Sequence, residues 1–572
     1  MTTSIDSRRQ ALREQFPVWI PRTLDAWLDV CAERYGDRPF VITDDVTLTY
    51  REVAEQSRRL ADGLVTLGVG PGQRVGMLMA NHPEFVPLKF AIARTGATAI
   101  PFNYLYREDE LGYVLAQSQC STLITMTGFA GLDYLSMLDS IAPGWETPDR
   151  ADAEGSGPKD LRHVIVFPND GRTREKALDL DGLAALGDRN PGAAANMPHT
   201  PDDIGDMLYT SGSTGSPKGV QVRHDAVLRT AYASALTRAY EDGRRILFSL
   251  PCYHMFGYVE GLLSVMYVGG AIVPQTSFSA ENYFAGIQRH RATDILCVPT
   301  MAVAMVQTTA RDRYDLSSLT AVLCGSAPAP IWLWETFEKD LGVSEIVTGY
   351  GMTECGGAMT LTFPEDPLEL TSTTVGRPKI AGSAGVEGGD DLVRYRTVDP
   401  QTGEPLPAGG TGELTSQGPT VMAGFYGKPE ETALALRDGW LHSGDLGRVR
   451  EDGYLEITGR SKELYKSGGE LVMPKEIEDL LAARDDVSQV FAIGLNDDRW
   501  GEIGCAVIVP TAGARLTEED VIAYCKEHLA RFKVPKRVLF LDAEDLPKTP
   551  TGKVQKFRLV EQATAAWKGT QR

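Results

Sequence analysis

Residues 74–101, RVGMLMANHPEFVPLKFAIARTGATAIP, show the pattern that decides the fold. Short apolar runs at 74–79 and 97–101 flank a stretch at 84–94 in which apolar residues recur at helical spacing. A strand, a helix and a second strand in this order form the unit of a parallel sheet that is covered by helices. We therefore predict an α/β fold.

The same alternation continues on both sides of this segment. Residues 50–67, YREVAEQSRRLADGLVTL, predict a helix that ends at Gly68. Further strands are predicted at 246–250, 271–274, 294–298 and 321–324. Residues 143–160 are rich in proline, glycine and charge, which is typical of an exposed loop. The sequence thus predicts a large N-terminal domain of mixed and parallel sheets flanked by helices.

The pattern changes after residue 412, where short turn-rich strands predict a β-barrel-like subdomain and 452–460 predict a hairpin arm. Residues 474–483 and 517–529 predict helices, and 487–494, 502–509 and 537–541 predict strands. These last elements have the size of a small α+β domain. We predict a large domain at 1–461 and a small, mobile domain at 462–572.

Composition excludes several classes of protein. The 572 residues carry a net charge of −20, and the basic residues are scattered, which argues against a nucleic-acid partner. The eight cysteines form no CxxC pair, so we expect neither a disulfide framework nor a zinc site. We therefore expect a reducing, cytoplasmic location. Charged residues at the N-terminus occupy the place where a signal peptide needs an apolar core.

One uncharged stretch resembles a membrane span by composition. Residues 261–280, GLLSVMYVGGAIVPQTSFSA, contain no formal charge, but they include glycines, a proline and several hydroxyl residues. A buried helix that runs into a strand explains this composition better than a spanning helix. We expect no integral membrane segment, and the sequence leaves the oligomeric state open.

Residues 209–220, YTSGSTGSPKGV, predict a phosphate site of an unusual type. The lysine is followed by glycine and not by serine or threonine, so the Walker pattern fails, and the glycine spacing also fails the dinucleotide pattern. Glycines allow the backbone to approach a ligand, hydroxyl groups donate to phosphate oxygens, and Lys218 supplies a positive charge. The alternative is a solvated linker.

Two further segments place a carboxylate in a turn. Residues 349–354, GYGMTE, end in Glu354, which suits a magnesium ion that bridges phosphates. Residues 440–446, WLHSGDL, put Asp445 where an apolar strand breaks at glycine, and such a carboxylate can accept both ribose hydroxyls. Taken alone, Glu354 is equally a loop acid in solvent and Asp445 a turn-capping residue.

Five motifs decide between these alternatives: YTSGSTGSPKG, GYGMTE, WLHSGDLG, GRSKELYKSGGELVMPKEIE and PKTPTGK, in this order. Over residues 48–558 the chain resembles the adenylate-forming superfamily of acyl-CoA synthetases, luciferases and peptide-synthetase adenylation domains. LPCYHMFG at 250–257 and GPTVMAGFYGKPEET at 418–432 resemble the acyl- and aryl-CoA ligases most. The resemblance implies that a carboxylate attacks the α-phosphate of ATP and that the thiol of coenzyme A then displaces AMP.

The resemblance also implies cofactors and site residues, namely ATP, Mg²⁺ and coenzyme A as co-substrate. The β- and γ-phosphates would be bound by Thr210, Ser211, Gly212, Ser213, Thr214, Gly215 and Lys218. Thr353 would bind the α-phosphate and Glu354 the metal. The adenine would lie against Gly325, Ser326, Ala327 and Tyr350, and the ribose would be bound by Asp445 with Arg460. Gly351 is also implied to be part of the nucleotide site.

A late lysine, Lys553, is implied to contact the carboxylate and the α-phosphate during adenylation. In the family the small domain rotates about a residue that corresponds to Lys462. This rotation would bring Lys466, Gly468 and Gly469 to the site, where the glycines would line the pantetheine tunnel. From the residues alone, 459–470 is equally an ordinary hairpin and linker.

The acid is predicted to be hydrophobic, because the implied pocket offers no cation for a second carboxylate. His254 would shape and gate this pocket, although a lone histidine in apolar surroundings is often a hydrogen-bonded core residue. The other implied wall residues are Tyr258, Val259, Met301, Cys324, Gly349 and Met352. Fatty, alicyclic, steroid-side-chain and aromatic acids remain open, as do a carrier protein as acceptor and a protein that performs only one half-reaction.

Overall fold

The structure is a computed structural model that describes residues 4–147, 158–210, 217–326, 329–460, 463–467, 470–497, 501–529, 531–549, 552 and 554–570. At 460, 466, 470, 471, 501 and 568–570 it describes the backbone alone. Several predicted site residues therefore lie outside the described residues: Ser211, Gly212, Ser213, Thr214, Gly215, Ala327, Lys462, Gly468, Gly469 and Lys553.

By its packing the chain divides into two units. The first contains Met1–Arg394 and Ser416–Leu441, and the second contains Tyr395–Thr415 and His442–Arg572. The packing division thus falls earlier in the chain than the motif-based boundary at 461/462. The hinge at Lys462 stays a prediction.

An eight-stranded sheet in the first unit contains the segment that predicted the fold. Arg74–Leu78 and Thr98–Pro101 pair in parallel, and the helix Phe85–Arg94 connects them, as predicted. In spatial order the strands of this sheet are Gly424–Phe425, Lys218–Arg223, Ile204–Thr210, Thr98–Pro101, Arg74–Leu78, Thr122–Met126, His163–Phe167 and Leu178–Asp179. The strand Lys218–Arg223 pairs antiparallel with both neighbours, and the other pairs are parallel.

A seven-stranded sheet contains the other predicted strands. In spatial order it consists of Glu345–Val347, Ala321–Cys324, Asp294–Cys297, Arg245–Phe248, Ala271–Pro274, Pro39–Ile42 and Thr47–Thr49. The pairs are parallel except the last, which is antiparallel. The fold prediction of parallel and mixed sheets with flanking helices is confirmed.

Helices alternate with these strands along the chain. The predicted helix at 50–67 is Tyr50–Thr66, and it begins with a capping box in which Thr49 and Glu52 exchange hydrogen bonds. The α-helices of the first unit are Ile5–Gln15, Leu24–Tyr35, Tyr50–Thr66, Phe85–Arg94, Glu108–Gln117, Tyr134–Ile141, Leu180–Arg189, His224–Thr237, Ala280–His290, Pro299–Gln307, Ile331–Leu341, Leu368–Thr373 and Pro429–Ala435. One small sheet pairs Gly128–Phe129 with Leu132–Asp133, and in another Gly357–Leu361 pairs with both Gly349–Met352 and Arg377–Pro378.

The uncharged stretch is a buried helix that runs into a strand, as predicted. A π-helix at Phe256–Leu263 continues as a 3₁₀-helix at Ser264–Val268, and the chain then enters the strand Ala271–Pro274. Gly269 ends the helix with φ of 55°, a left-handed conformation that favours glycine. Among the described residues, no helix combines the length and the apolar character that crossing a membrane requires.

The second unit ends in the predicted α+β elements. Its five-stranded sheet has the order Glu470–Val472, Tyr465–Ser467, Gly501–Pro510 and Val487–Asp497, and Arg537–Phe540 pairs with Gly501–Pro510. The helices are Pro474–Ala482, Glu518–His528 and Lys556–Thr570. Apolar residues cover both faces of this sheet, so it forms the centre of two small cores.

A further sheet contains the predicted hairpin arm. Its order is Arg394–Val398, Gly412–Gln417, Trp440–Val449 and Leu436–Arg437, and Leu455–Arg460 pairs antiparallel with Trp440–Val449.

Tyr465 departs from the aliphatic residue that is usual beside the implied hinge. Its side chain is buried against two glycines of the two long strands of the same sheet, Gly494 and Gly504. A Cβ atom at Gly494 would lie 2.4 Å from the Tyr465 Cβ atom, and one at Gly504 would lie 2.2 Å from the tyrosine hydroxyl. The ring therefore fits because both facing positions lack a side chain.

Candidate active site

The phosphate motif begins and ends at a strand pair in the first unit. Thr210 and Lys218 are directly paired across the antiparallel strands Ile204–Thr210 and Lys218–Arg223. Both residues are half-buried. The tyrosine ahead of them, Tyr209, donates from its hydroxyl to the side-chain oxygen of Gln117, and Tyr113 donates to the carbonyl of Pro217 at 3.4 Å. The helix Glu108–Gln117 thus supports the base of the motif.

Residues 422–426 connect this strand pair to the predicted metal ligand. The amide of Met422 donates to the carbonyl oxygen of Glu354 at 2.8 Å. The amide of Tyr426 donates to the carbonyl of Gly219 at 2.8 Å, and Phe425 is paired in register with Val220. One short segment therefore bonds to the backbone of Glu354 at one end and to the strand of Lys218 at the other. These backbone bonds link the positions of the predicted metal ligand and the predicted phosphate-binding lysine.

The turn that carries Glu354 is a single 3₁₀ turn, Thr353–Cys355. Thr353 is buried, and the turn ends at Gly356 with φ of 78°. A Cβ atom at Gly356 would lie 3.0 Å from the carbonyl oxygen of Thr420. Glycine is thus required here both by the backbone angle and by the close approach of the neighbouring segment.

The predicted adenine residues lie on two segments that the fold brings together. A Cβ atom at Gly325 would lie 3.3 Å from the Phe256 ring and 3.8 Å from the carbonyl oxygen of Gly349. A Cβ atom at Gly351 would lie 2.1 Å from the carbonyl oxygen of Gly357, so no side chain fits there. Ser326 has φ of 76°, and such backbone strain in a residue other than glycine is concentrated at functional sites.

His254 precedes the π-helix in the same region and is half-buried. Its Nδ1 atom accepts from the amide of Phe256 at 3.2 Å, and its carbonyl accepts from the amide of Tyr258 at 3.0 Å. Because Nδ1 accepts, the neutral ring carries its proton on Nε2. The ring is therefore oriented by the start of the helix.

Tyr258 belongs to a buried polar network. Its hydroxyl donates to Asp206 Oδ2 at 3.0 Å, and the Lys89 ammonium lies 2.9 Å from Asp206 Oδ1 and 5.1 Å from the Tyr258 ring centroid. Burial, with the adjacent Asp206 carboxylate, raises the pKa of Tyr258. Burial and the charge of Lys89 lower the pKa of the nearby His224 to about 4. Both the hydroxyl and the ring of Tyr258 thus contact this network.

The remaining predicted wall residues occupy the same unit. Val259, Met301 and Cys324 are buried, whereas Gly349 and Met352 are half-buried. Cys324 ends its strand in register with Cys297, and burial raises the pKa of the Cys324 thiol. All eight cysteines are buried thiols.

The second unit holds the predicted ribose ligand. Asp445 is buried and is paired in register with Arg460 across antiparallel strands. The amide of Asp445 donates to Ser443 Oγ at 3.0 Å, and Ser443 Oγ donates to the carbonyl of Leu414 at 2.6 Å. The strand pairing thus aligns the backbones of the two residues that the sequence assigned to the ribose.

Glu413 supports this turn from the neighbouring strand. Its Oε1 atom accepts from the amide of Gly444 at 2.9 Å, and its Oε2 atom lies 2.9 Å from Nδ1 of His442. Gly444 has φ of 73°, so the turn needs glycine at this position. Sequence analysis did not single out Glu413, because the signal is the pairing of two strands that lie about thirty residues apart.

Comparison with known proteins assigns both parts of the chain to one family. The family model described as AMP-binding enzyme matches residues 28–426, and the model described as AMP-binding enzyme C-terminal domain matches residues 476–553. The matched residues include the first-unit candidates described above.

Relatives and solved structures with similar sequences extend over nearly the whole chain. A 3-[(3aS,4S,7aS)-7a-methyl-1,5-dioxo-octahydro-1H-inden-4-yl]propanoyl:CoA ligase from Rhodococcus jostii (strain RHA1) is 33% identical over 95% of this chain and 99% of its own length. A feruloyl-CoA synthase from Amycolatopsis sp is 35% identical over 89% of this chain and 92% of its own length. The crystal structure of the anthranilate CoA ligase AuaEII with anthranoyl-AMP matches with a TM-score of 0.80 at 25% identity, over 96% of this chain and 99% of that chain.

Proposed function

This chain belongs to the AMP-binding enzyme family and is an AMP-forming acid–thiol ligase, and we propose that it activates a hydrophobic carboxylic acid and transfers the acyl group to coenzyme A. The observation that carries the site assignment is the segment 422–426, which joins the strand of Lys218 to the backbone of Glu354. ATP needs both a cation for its phosphates and a carboxylate for the accompanying metal.

In the first step a carboxylate oxygen of the acid attacks the α-phosphorus, and the bond to the β-phosphate oxygen breaks. Both reactants are anions, so alignment and charge neutralisation supply most of the rate acceleration. Lys218 and the 210–215 motif hold the β- and γ-phosphates as they leave as pyrophosphate. The family resemblance assigns the α-phosphate to Thr353 and Lys553, and Lys553 would also neutralise the attacking carboxylate.

Glu354 suits a magnesium ion that arrives with the nucleotide. Among the described residues there is no group of three or more His, Cys, Asp and Glu side chains that holds a metal by itself. Mg²⁺ is commonly bound by one or two carboxylates together with substrate phosphates, and Glu354 provides the hard oxygen ligand that this arrangement needs. When bound, the ion neutralises phosphate charge.

In the second step the thiol of coenzyme A attacks the acyl carbonyl, and AMP leaves as the mixed-anhydride bond breaks. The family resemblance assigns Lys466, Gly468 and Gly469 to the pantetheine path, and a rotation of the small domain about Lys462 would bring them to the site. Coenzyme A is favoured over a carrier protein because the Rhodococcus and Amycolatopsis relatives are named for CoA products.

The acid is hydrophobic because the wall assigned to it is mostly apolar. Val259, Met301 and Cys324 are buried, and the only polar group that Tyr258 offers is bound to Asp206. His254 lies two residues before the helix that contains Tyr258, and we propose that it gates this pocket. The acids named for the two relatives are alicyclic and aromatic, which supports a cyclic acid as substrate.

A ligation screen tests the proposal. The protein is incubated with ATP, Mg²⁺ and coenzyme A and with matched panels of fatty, alicyclic and aromatic acids, and acyl-CoA and AMP are quantified together. Equimolar acyl-CoA and AMP from a hydrophobic acid is the expected result. Pyrophosphate exchange into ATP without transfer to coenzyme A, but with transfer to a phosphopantetheinylated carrier protein, contradicts the proposed acceptor.

A further inference from the structure

We infer that Phe425 is the positioning residue for the Lys218 ammonium group, an inference that rests on the proposed role of Lys218 at the ATP phosphates. The Lys218 Nζ atom lies over the Phe425 ring, 5.3 Å from its centroid. A cation at this distance from a ring face is attracted by the quadrupole of the ring.

The strand register explains why these two side chains meet. Phe425 is paired with Val220, so Lys218 is its diagonal neighbour two residues away along the facing strand. Residues in this relationship lie on one face of the sheet, within reach of long and aromatic side chains. The contact is thus set by backbone pairing and not by a chance rotamer.

An aromatic partner leaves the charge of the lysine available. A carboxylate in ion-pair contact would neutralise the ammonium group and compete with phosphate oxygens, whereas a ring attracts the cation without accepting its protons. Within the described part of the chain, Lys218 takes part in no ion pair within 4.0 Å, while Lys428, two residues beyond the segment 422–426, pairs with Glu431 at 3.5 Å. Lys218 acts on Glu431 only at longer range, where its charge helps to lower the pKa of that carboxyl. The ring therefore contacts an ammonium group that forms no close ion pair with a described residue.

The segment that carries Phe425 is itself fixed at several points. Gln117 donates to the carbonyl of Tyr426 at 3.0 Å, and the Tyr426 hydroxyl donates to Gln119. The amide of Phe425 donates to Thr432 Oγ1 at 2.9 Å. A ring on so constrained a backbone has few alternative positions, which is what a positioning group requires.

Affinities for ATP and AMP test this role, because AMP lacks the β- and γ-phosphates. Both are measured by isothermal titration calorimetry with Mg²⁺ and without acid for the unsubstituted protein, Phe425→Leu and Phe425→Tyr. We expect Phe425→Leu to weaken the affinity for ATP about three- to tenfold and to leave the affinity for AMP unchanged, since the contact is half-buried and cation–π attraction lies between its exposed and its desolvated size. Phe425→Tyr keeps the ring and should bind both nucleotides normally.

Two further variants serve as a control and as a separate test of the role proposed for Lys218. Phe532→Leu removes a half-buried ring that lies 5.7 Å from the Lys533 ammonium in the second unit, and it should change neither affinity. Lys218→Met should weaken the affinity for ATP, and adding Phe425→Leu to Lys218→Met should cause no further loss of affinity. Three results would overturn the inference. Phe425→Leu weakens the affinities for ATP and AMP equally, Phe425→Leu binds ATP normally, or Phe425→Tyr binds ATP as weakly as Phe425→Leu does. Normal ATP affinity in Lys218→Met overturns the proposed role of the lysine instead.

Discussion

Asp445 and Arg460 occupy paired positions on adjacent antiparallel strands, although fifteen residues separate them in the chain. The pairing aligns the backbones of the two residues that the family resemblance assigns to the ribose. Asp445 is also fixed from its own turn, in which Ser443 accepts from its amide and Glu413 accepts from the amide of Gly444.

Glu413→Gln should disturb this turn and weaken the affinity for both ATP and AMP. The substitution removes the negative charge that faces His442 and the strong acceptor for the Gly444 amide, which is worth about 1–3 kcal/mol. We expect affinity for each nucleotide to fall about tenfold while the ratio between them stays constant. Titration with ATP, AMP and 2′-deoxy-ATP measures this, and an effect confined to ATP would point away from the ribose.

Glu354→Gln should raise the magnesium concentration that adenylation requires. An amide oxygen is a much weaker ligand than a carboxylate for a hard dication, so pyrophosphate exchange should fall on the order of 10²-fold at low Mg²⁺. Part of the loss should return at high Mg²⁺. A magnesium titration of exchange measures this, with Glu365→Gln, which removes a carboxylate paired with Arg9 elsewhere in the first unit, as the control. A uniform loss at all magnesium concentrations would contradict the role.

Lys553→Ala should separate the two half-reactions. Acyl-AMP formation should fall to background because the attacking carboxylate loses its neutralising cation, whereas conversion of supplied acyl-AMP to acyl-CoA should continue. Both rates are measured on one preparation. Equal loss of both rates would exclude the predicted alternation of the small domain.

Acid should destabilise the first unit through His224. The folded-state pKa of about 4 lies below the usual 6.5, because burial and Lys89 disfavour the charged ring. The neutral ring therefore contributes full stability above about pH 6.5, and this contribution is lost as the pH falls towards 4. At 1.36 kcal/mol per pKa unit, the loss amounts to about 3 kcal/mol.

Thermal unfolding at pH 7 and pH 4.5 checks this expectation. His224→Gln keeps an acceptor for the Leu24 amide, which contacts Nδ1 at 3.4 Å, but it cannot titrate. The unfolding midpoint of the variant should fall less between the two pH values than that of the unsubstituted protein. His199, whose pKa is raised by its hydrogen bond to Asp25, is present in both proteins. Parallel shifts would show that His224 does not contribute.

Local patterns were sufficient for much of the fold. The apolar runs around Arg74–Leu78 and Thr98–Pro101 and the helix between them were predicted to within about two residues, because strand and helix periodicities are short-range properties. The buried stretch that precedes Ala271–Pro274 was also predicted, although the π-helix within it was not. The family followed from five motifs in order, and the comparisons confirm it.

The sequence by itself therefore determined the fold class, the family and the chemical types at the site. Only the tertiary structure decided which groups support them. Phe425 meets Lys218 through strand register, Glu413 meets Gly444 across two strands, and the Tyr258 hydroxyl is bound by Asp206. The physical reason is range: a motif records the residues that touch a ligand, whereas the groups that orient them come from distant segments whose register only the folded chain specifies.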